Sequence, residues 1–340
     1  MNAIAATHVP SATAETVETA ASGATRVRLA DGRWHLQHGP IDIIAGADGD
    51  EHAVRAAHDA CWQRFAGVLA ELVGELPLLR RPLHADATAQ DNPCSGPIAR
   101  RMWAACHPHR ACYITPMAAV AGSVADELIA AFARPGVARA FVNNGGDIAL
   151  HLTDGQHYRI GVFADLAAFD GSTAHALDAY LTLDASMPVR GIATSGWRGR
   201  SFSLGIADSA TVLARTVADA DAAATIVANA VDLDHSGIVR RPASSLKDDS
   251  DLGELPVTVD VPMLPPPLID FALERGTRVA QRLCDDGTIA GAAVFLQRRA
   301  RATGIAAPAA LATSQAAPDD TRPARTPDPM EASCSKYAAC

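Results

Sequence analysis

The chain has 340 residues, 49% of them hydrophobic, and carries a formal net charge of -9. That balance argues against a general affinity for the phosphate backbone of nucleic acids, and no window reaches the ~18 uncharged apolar residues that a membrane span needs. The only lysines are Lys247 and Lys336, which argues against a phosphate-loop lysine or a buried Schiff-base lysine.

The two ends differ in composition from the middle. Residues 1–25 are mostly Ala, Thr, Ser, Val and Glu, and residues 301–340 are rich in Ala, Pro, Thr and Asp. Such segments bury too little apolar surface to offset the entropy of ordering, so two disordered tails are expected around one domain over residues 26–300. Between Thr25 and Ala45, strands are broken at Asp31-Gly32 and His38-Gly39-Pro40, which are turn signals. From His52 to Leu72 the apolar residues Val54, Ala57, Cys61, Phe65, Val68, Leu69 and Leu72 recur at helical spacing behind acidic Asp48–Glu51, where the helix dipole favours negative charge.

A Pro-rich connector with Arg80-Arg81-Pro82 and Arg100-Arg101 follows. Thr115-Pro116 then opens an Ala-rich helix from Met117 to about Ala133, stopped by Arg134-Pro135-Gly136. Short strands are expected at 140–143, 147–152, 158–163, 180–183, 189–194, 201–206 and 210–214, a helix at 218–231, a strand at 256–261 and a last helix at 268–283. Strands this short, separated by turns, favour a largely antiparallel sheet, and with the helices the class is α+β.

Seven irregularly spaced cysteines are not a disulfide framework and fit a reducing compartment. No basic start followed by an apolar stretch is found at the N-terminus, and the expected location is the cytoplasm. The oligomeric state is left open, a homo-oligomer included.

Three strings carry candidate chemistry. In Asn143-Asn144-Gly145-Gly146-Asp147, between two expected strands, paired glycines allow positive φ and let a ligand approach main-chain N–H groups; an Asn-Gly hairpin turn is the bland alternative. From Arg190 to Arg200, three guanidinium groups, two hydroxyls and three glycines fall within eleven residues, including Thr194, Ser195, Gly196, Arg198 and Arg200. That describes an anion site with Trp197 nearby, or else a solvated hairpin. On the expected helix at 218–231, Asp221, Thr225 and Asn229 form one polar stripe among alanines. A carboxylate and a hydroxyl one turn apart are oxygen ligands suited to Mg²⁺ or to the polar head of a ligand, against a merely solvated stripe. A fourth string, Cys106-His107-Pro108-His109-Arg110-Ala111-Cys112, matches no closed zinc pattern and reads better as a proline-interrupted loop.

Taken in order, these strings resemble the ApbE superfamily, and more closely its cytoplasmic branch of unassigned activity than the flavin transferases. The carriers are Asp31-Gly32-Arg33-Trp34 with Gln37-His38-Gly39-Pro40-Ile41, then Thr115 to Gly122, Asn143 to Ile148, Thr194-Ser195-Gly196, and Ala220 to Thr225. They span about Thr25 to Arg298.

The resemblance implies a small anionic ligand, FAD or another flavin, at Asn144, Gly145, Gly146, Asp147, Thr194, Ser195 and Gly196, and a divalent metal such as Mg²⁺ at Asp221 and Thr225. It also implies a role as an enzyme or accessory factor in cofactor or sulfur-amino-acid metabolism, or as a flavin-binding module without catalysis. The departures argue against flavin transfer itself. Ser203 to Ser209 stands where the transferases have His-x-x-Asp-Pro-x-Thr-Gly, and Met117 to Gly122 replaces their lysine-bearing helix start.

Overall fold

A computed structural model describes residues 17–162, 179–199 and 201–306. Ten strands form one sheet: β1 (Glu18–Thr19), β2 (Thr25–Arg28), β3 (Trp34–His38), β4 (Ile41–Gly49), β5 (Val137–Asn144), β6 (Asp147–Leu152), β9 (Gly191–Ser195), β10 (Ser209–Ala214), β13 (Gly291–Leu296) and β14 (Arg299–Gly304), in that spatial order. Every pairing is antiparallel. Two hairpin sheets stand beside it, β7 (His157–Val162) with β8 (Ala179–Asp184), and β11 (Val239–Pro242) with β12 (Pro256–Asp260). The class is α+β, with an antiparallel sheet carrying helices, as the short strands imply.

Five α-helices accompany the sheet: α1 (Glu51–Leu79), α2 (Pro97–Cys106), α3 (Val120–Ile129), α4 (Val217–Ala230) and α5 (Pro266–Asp285). Asp50 starts α1 by accepting a hydrogen bond from the Ala53 amide at 2.9 Å. The face that buries Ala57, Cys61, Phe65, Val68 and Leu72 is the one the apolar spacing marks, and the helix continues two turns past Leu72. The helix expected from Met117 to Ala133 is α3 flanked by two 3₁₀ turns, Pro116–Ala119 and Ala130–Phe132.

The sheet is covered on both faces. Alternate residues of β5 point opposite ways: Val142 joins the core under α1, α2 and α3, while Phe141 joins a second core with Ile148, Tyr158, Ile160 and Leu183 beneath the β7–β8 hairpin. A third core packs α4 and α5 on β9, β10 and β13. Double coverage explains why β13 is buried throughout and reads as an unbroken apolar run instead of alternating.

Several expectations are corrected. Residues 201–206 form no strand; the Ile206 amide donates to Val231 O at 2.8 Å and the Leu204 amide to Asn229 Oδ1 at 2.9 Å, so this loop is tied to the end of α4. Strand pairing starts at Glu18, within the segment 1–25, because the Glu18 carboxylate accepts from Trp62 Nε1 at 2.9 Å and from Arg26 Nε at 2.7 Å. At the other end, β14 runs past residue 300 to Gly304. Residues 1–16 and 307–340 lie outside the described residues.

Candidate functional site

The Asn144–Asp147 hairpin is the first wall. Asn144 and Asp147 are register partners at the end of the β5–β6 ladder, and the two residues between them, Gly145 and Gly146, have φ of 66° and 115°. Two consecutive positive φ values are the demand of a tight hairpin that only glycine meets without strain. The bland reading of this string is therefore right in geometry, and the turn also presents two buried polar side chains. Asn144 Nδ2 donates to Ala121 O at 3.0 Å, reaching the start of α3. Asp147 Oδ1 accepts from the Thr194 amide at 3.3 Å, reaching β9.

The third segment arrives through α4. Asp221 Oδ2 accepts from the Gly122 amide at 2.9 Å, and the Asp221 carboxyl stands near enough to that of Asp147 for each to influence the other's protonation. Such closeness requires a glycine, since a Cβ on Gly122 would sit 2.5 Å from Val217 O and 2.9 Å from Asp221 Cβ. Asp126, one turn further along α3, accepts from the Val217 and Ala218 amides at 3.1 and 2.9 Å, satisfying orphan donors at the start of α4.

Thus the first glycine turn, the strand end at Thr194 and the stripe residue Asp221 are brought together. Thr225 lies one turn along α4, half-buried, with no side-chain hydrogen bond among the described residues. Asn229 faces elsewhere and holds Ser203 Oγ and the Leu204 amide.

Burial sets the electrostatics. It pushes the Asp147 carboxyl up to about 7, against the opposing influence of the Thr194 amide hydrogen bond and of Asp221. Asp221 is pushed well above the usual carboxylate range, by burial first and then by the charge of Asp147. Neither carboxyl is ion-paired with a basic side chain among the described residues, so the two hold one proton between them or need a cation. All the oxygens on offer are hard donors, the kind Mg²⁺ prefers.

The second string divides. Thr194 Oγ1 lies 2.9 Å from Thr211 Oγ1, while Ser195, the last residue of β9, is half-buried. Gly196 packs on the backbone of Asp208. Arg198 stacks over Trp197 with its guanidinium 4.8 Å from the ring and its Nε 3.8 Å from Asp208 Oδ1; its side chain is 39% exposed. Arg190 is no anion ligand, because its guanidinium donates to Ala185 O, Met187 O and Val189 O. Arg200 lies outside the described residues.

In the fourth string, Cys106 Sγ donates to Thr115 O at 3.3 Å and His107 Nε2 lies 2.8 Å from Ala87 O. Among the described residues no group of three or more His, Cys, Asp or Glu is placed to hold a metal ion. Their helices also include none long and apolar enough to cross a membrane.

Sequence reasoning missed Gly122 and Asp126 as parts of the site. A glycine inside an Ala-rich helix costs ~1 kcal/mol against alanine and so signals a close approach. Nothing local marks Asp126, whose partners are more than ninety residues away.

Fold and site together define a class: an α+β protein in which a glycine hairpin and the start of a buried helix bring two carboxyls close together. Within it the chain belongs to the family described as AbpE bacteria, which matches residues 26–304, in agreement with the likeness to the ApbE superfamily. Similar curated proteins are the UPF0280 proteins of Methanothrix thermoacetophila, 34% identical over 49% of this chain and 65% of that protein, and of Methanosphaerula palustris, 41% identical over 35% and 47%. The matches thus span about half to two thirds of those relatives. The apo crystal structure of the Pseudomonas stutzeri flavinyl transferase ApbE is a distant likeness, with 14% identity, a TM-score of 0.38, and coverage of 85% of this chain and 94% of that one.

Proposed function

We propose that the protein binds a small anionic ligand of the flavin class, FAD or a related cofactor or metabolite, at the two turns that meet over Asp147 and Asp221. Asn144, Gly145, Gly146, Asp147, Thr194, Ser195 and Gly196 form the ligand wall, with Arg198 and Arg200 meeting its negative charge. Asp221 and Thr225, with Asp147 alongside, hold Mg²⁺. Asp147, Asp221 and Thr225 would supply hard oxygen donors to such an ion, whose charge would offset the two carboxyls. The protein serves as an enzyme or accessory factor in cofactor or sulfur-amino-acid metabolism in the cytoplasm.

The observation that carries this reading is the closeness of two carboxyls from distant segments, buried Asp147 and half-buried Asp221, with no basic partner among the described residues. Leaving such a pair unbalanced is costly unless a proton or a cation is shared. Calorimetric titration of FAD, with and without Mg²⁺, tests it. The expected result is Mg²⁺-dependent binding that is lost in Asp221→Asn and weakened in Arg198→Ala. FAD heats that are absent, or identical in the wild type and both variants, would end the proposal.

A second reading, a flavin-binding module without transfer, is favoured by the loop 203–208. Ser203 Oγ donates to Asn229 Oδ1, and Asp208 accepts from Trp197 Nε1 and from the Gln297 amide. The polar side chains standing near the place of the transferase motif are thus used to hold the loop. Bound flavin recovered unchanged after incubation with Mg²⁺ and acceptor proteins would favour this reading; covalent flavin on any acceptor would exclude it.

A further inference from the structure

A second concavity lies away from the paired acids. Its volume is about 540 Å³, inside the ~300–1,000 Å³ range of small-molecule sites. It is bounded by the Asp31-Gly32 turn between β2 and β3, the end of β4 and the first turns of α1. Arg139, opposite Asp48 in the β4–β5 register, is five residues from Asn144, a rise of ~17 Å at ~3.4 Å per residue. Cleft and acid pair therefore belong to opposite ends of β5. One wall is Asp31-Gly32-Arg33-Trp34, a motif that the acid pair does not use.

Charge in the cleft is sorted by pairing. Asp31 Oδ2 lies 2.6 Å from Arg33 Nη2, and Glu51 Oε1 lies 2.6 Å from Arg55 Nη2. Asp48 Oδ2 is 2.7 Å from Arg139 Nε, and Asp59 Oδ1 is 2.9 Å from Arg26 Nη1. Arg28 also lines the cleft and is exposed, and its side chain has no ion pair or hydrogen bond among the described residues. Arg26 is shared between Asp59 and Glu18, and Arg28 is the lining guanidinium that no carboxylate matches among the described residues.

The cleft also presents rings. Half-buried Trp34 lies with its centroid 6.0 Å from that of His58 and carries the Arg26 guanidinium 4.7 Å over its ring, while His58, Phe141 and Tyr158 are buried in the cleft wall. Burial, with Arg26 and Arg28 adding to it, pushes His58 down to about 4. At neutral pH the imidazole is therefore an uncharged ring, and Arg28 supplies the positive charge. A flat apolar surface beside a single unpaired guanidinium recognises a ring with an acid group on it.

We infer that this cleft binds a small planar aromatic molecule bearing one anionic group, with its ring against Trp34 and its carboxylate or phosphate on Arg28. The full chain is titrated calorimetrically with 4-aminobenzoate and with adenosine monophosphate, each against its uncharged counterpart, 4-aminobenzamide or adenosine. At least one anion is expected to bind ten times more tightly than its neutral partner. Arg28→Gln is expected to abolish that difference while leaving the melting temperature unchanged, since Arg28 is exposed. Trp34→Ala weakens both members of the pair.

A preference confined to adenosine monophosphate assigns the site to phosphates, and one confined to 4-aminobenzoate assigns it to carboxylates. Either supports the inference. No saturable binding of either anion in the millimolar range, or unchanged binding in Arg28→Gln, overturns it. Asp221→Asn is expected to bind these probes like the wild type, so failure here and failure of the flavin reading are separable.

Discussion

The two ends of β5 treat buried charge in opposite ways. Around Asp48 and Asp59, each carboxylate lies within salt-bridge distance of an arginine, and the titratable group nearest the core, His58, is kept neutral. Around Asp147 and Asp221, two carboxyls face each other without a basic partner among the described residues. In the first region the carboxylates are matched by the protein's own arginines, with Arg28 to spare. The second is balanced only by something added, a proton or a metal ion, and this difference makes it the better candidate for a ligand site.

The comparison is broken most severely at Gly122. Gly122→Val places a side chain against Val217 O and Asp221 Cβ, and is expected to cost about 3 kcal/mol or more by forcing α3 and α4 apart. Urea denaturation measures it, and a cost below ~1 kcal/mol would show that the helices are not held this closely.

Opposite pH slopes follow from the two regions. His58 has a folded-state value near 4, below its ordinary 6.5. Its stabilising contribution is present above pH 6.5 and is lost as pH falls through about 4, amounting to about 3 kcal/mol. His58→Asn is expected to flatten stability over that window in pH-dependent urea melts. Asp147 is displaced the other way, from 3.8 up to about 7. The favourable contribution of its protonated form is present below pH 3.8 and is lost as pH rises through about 7.

The acid pair is tested more finely by Asp221→Asn. Removing one of two facing charges is expected to raise stability above pH 7 in the presence of a chelator, by on the order of 1–2 kcal/mol. The same change should abolish stabilisation by Mg²⁺. Thermal melts at pH 8 with and without Mg²⁺ read both effects, and an equal Mg²⁺ response in variant and wild type would remove Asp221 from the metal site. The smallest effect is expected from Glu18→Ala, which leaves Trp62 Nε1 without its acceptor and Arg26 with Asp59 as its remaining carboxylate. A loss of about 1–2 kcal/mol would show that β1 is bound to the sheet in solution, and amide exchange at Thr19 and Thr25 reports it locally.

Much of the fold was legible where one physical signal dominated. The apolar stripe of α1 and the turns at Asp31-Gly32 and Gly145-Gly146 give the right elements in the right places, because helical spacing and positive φ act locally. α2 was lost among the prolines and arginine pairs of residues 80–101, although Pro97 stands at its first turn. β13 and β14 were missed because a strand buried on both faces does not alternate, and the composition of residues 299–304 resembles the tail that follows. Residues 201–206 alternate like a strand, yet the Leu204 amide goes to the Asn229 side chain and the Ile206 amide to Val231 O instead.

For the site, the sequence supplied the separate pieces: Asn144, Asp147, Thr194 and Asp221. Their meeting depends on Gly122 and on the order of strands β5, β6 and β9, both of which are long-range. Arg190 shows the limit of counting charges, since a guanidinium near glycines can be occupied entirely by its own loop.

One consequence of the Asn144–Asp147 pairing concerns how this hairpin can vary between relatives. The two residues close the ladder as direct partners, so a single residue added to or removed from the turn would rotate one of them to the opposite face of the sheet. Either Asn144 would release the start of α3 or Asp147 would release Thr194. Substitution at the tip is tolerable wherever positive φ can be met, but length drift is not, and relatives that keep this chemistry should keep two residues at that bend.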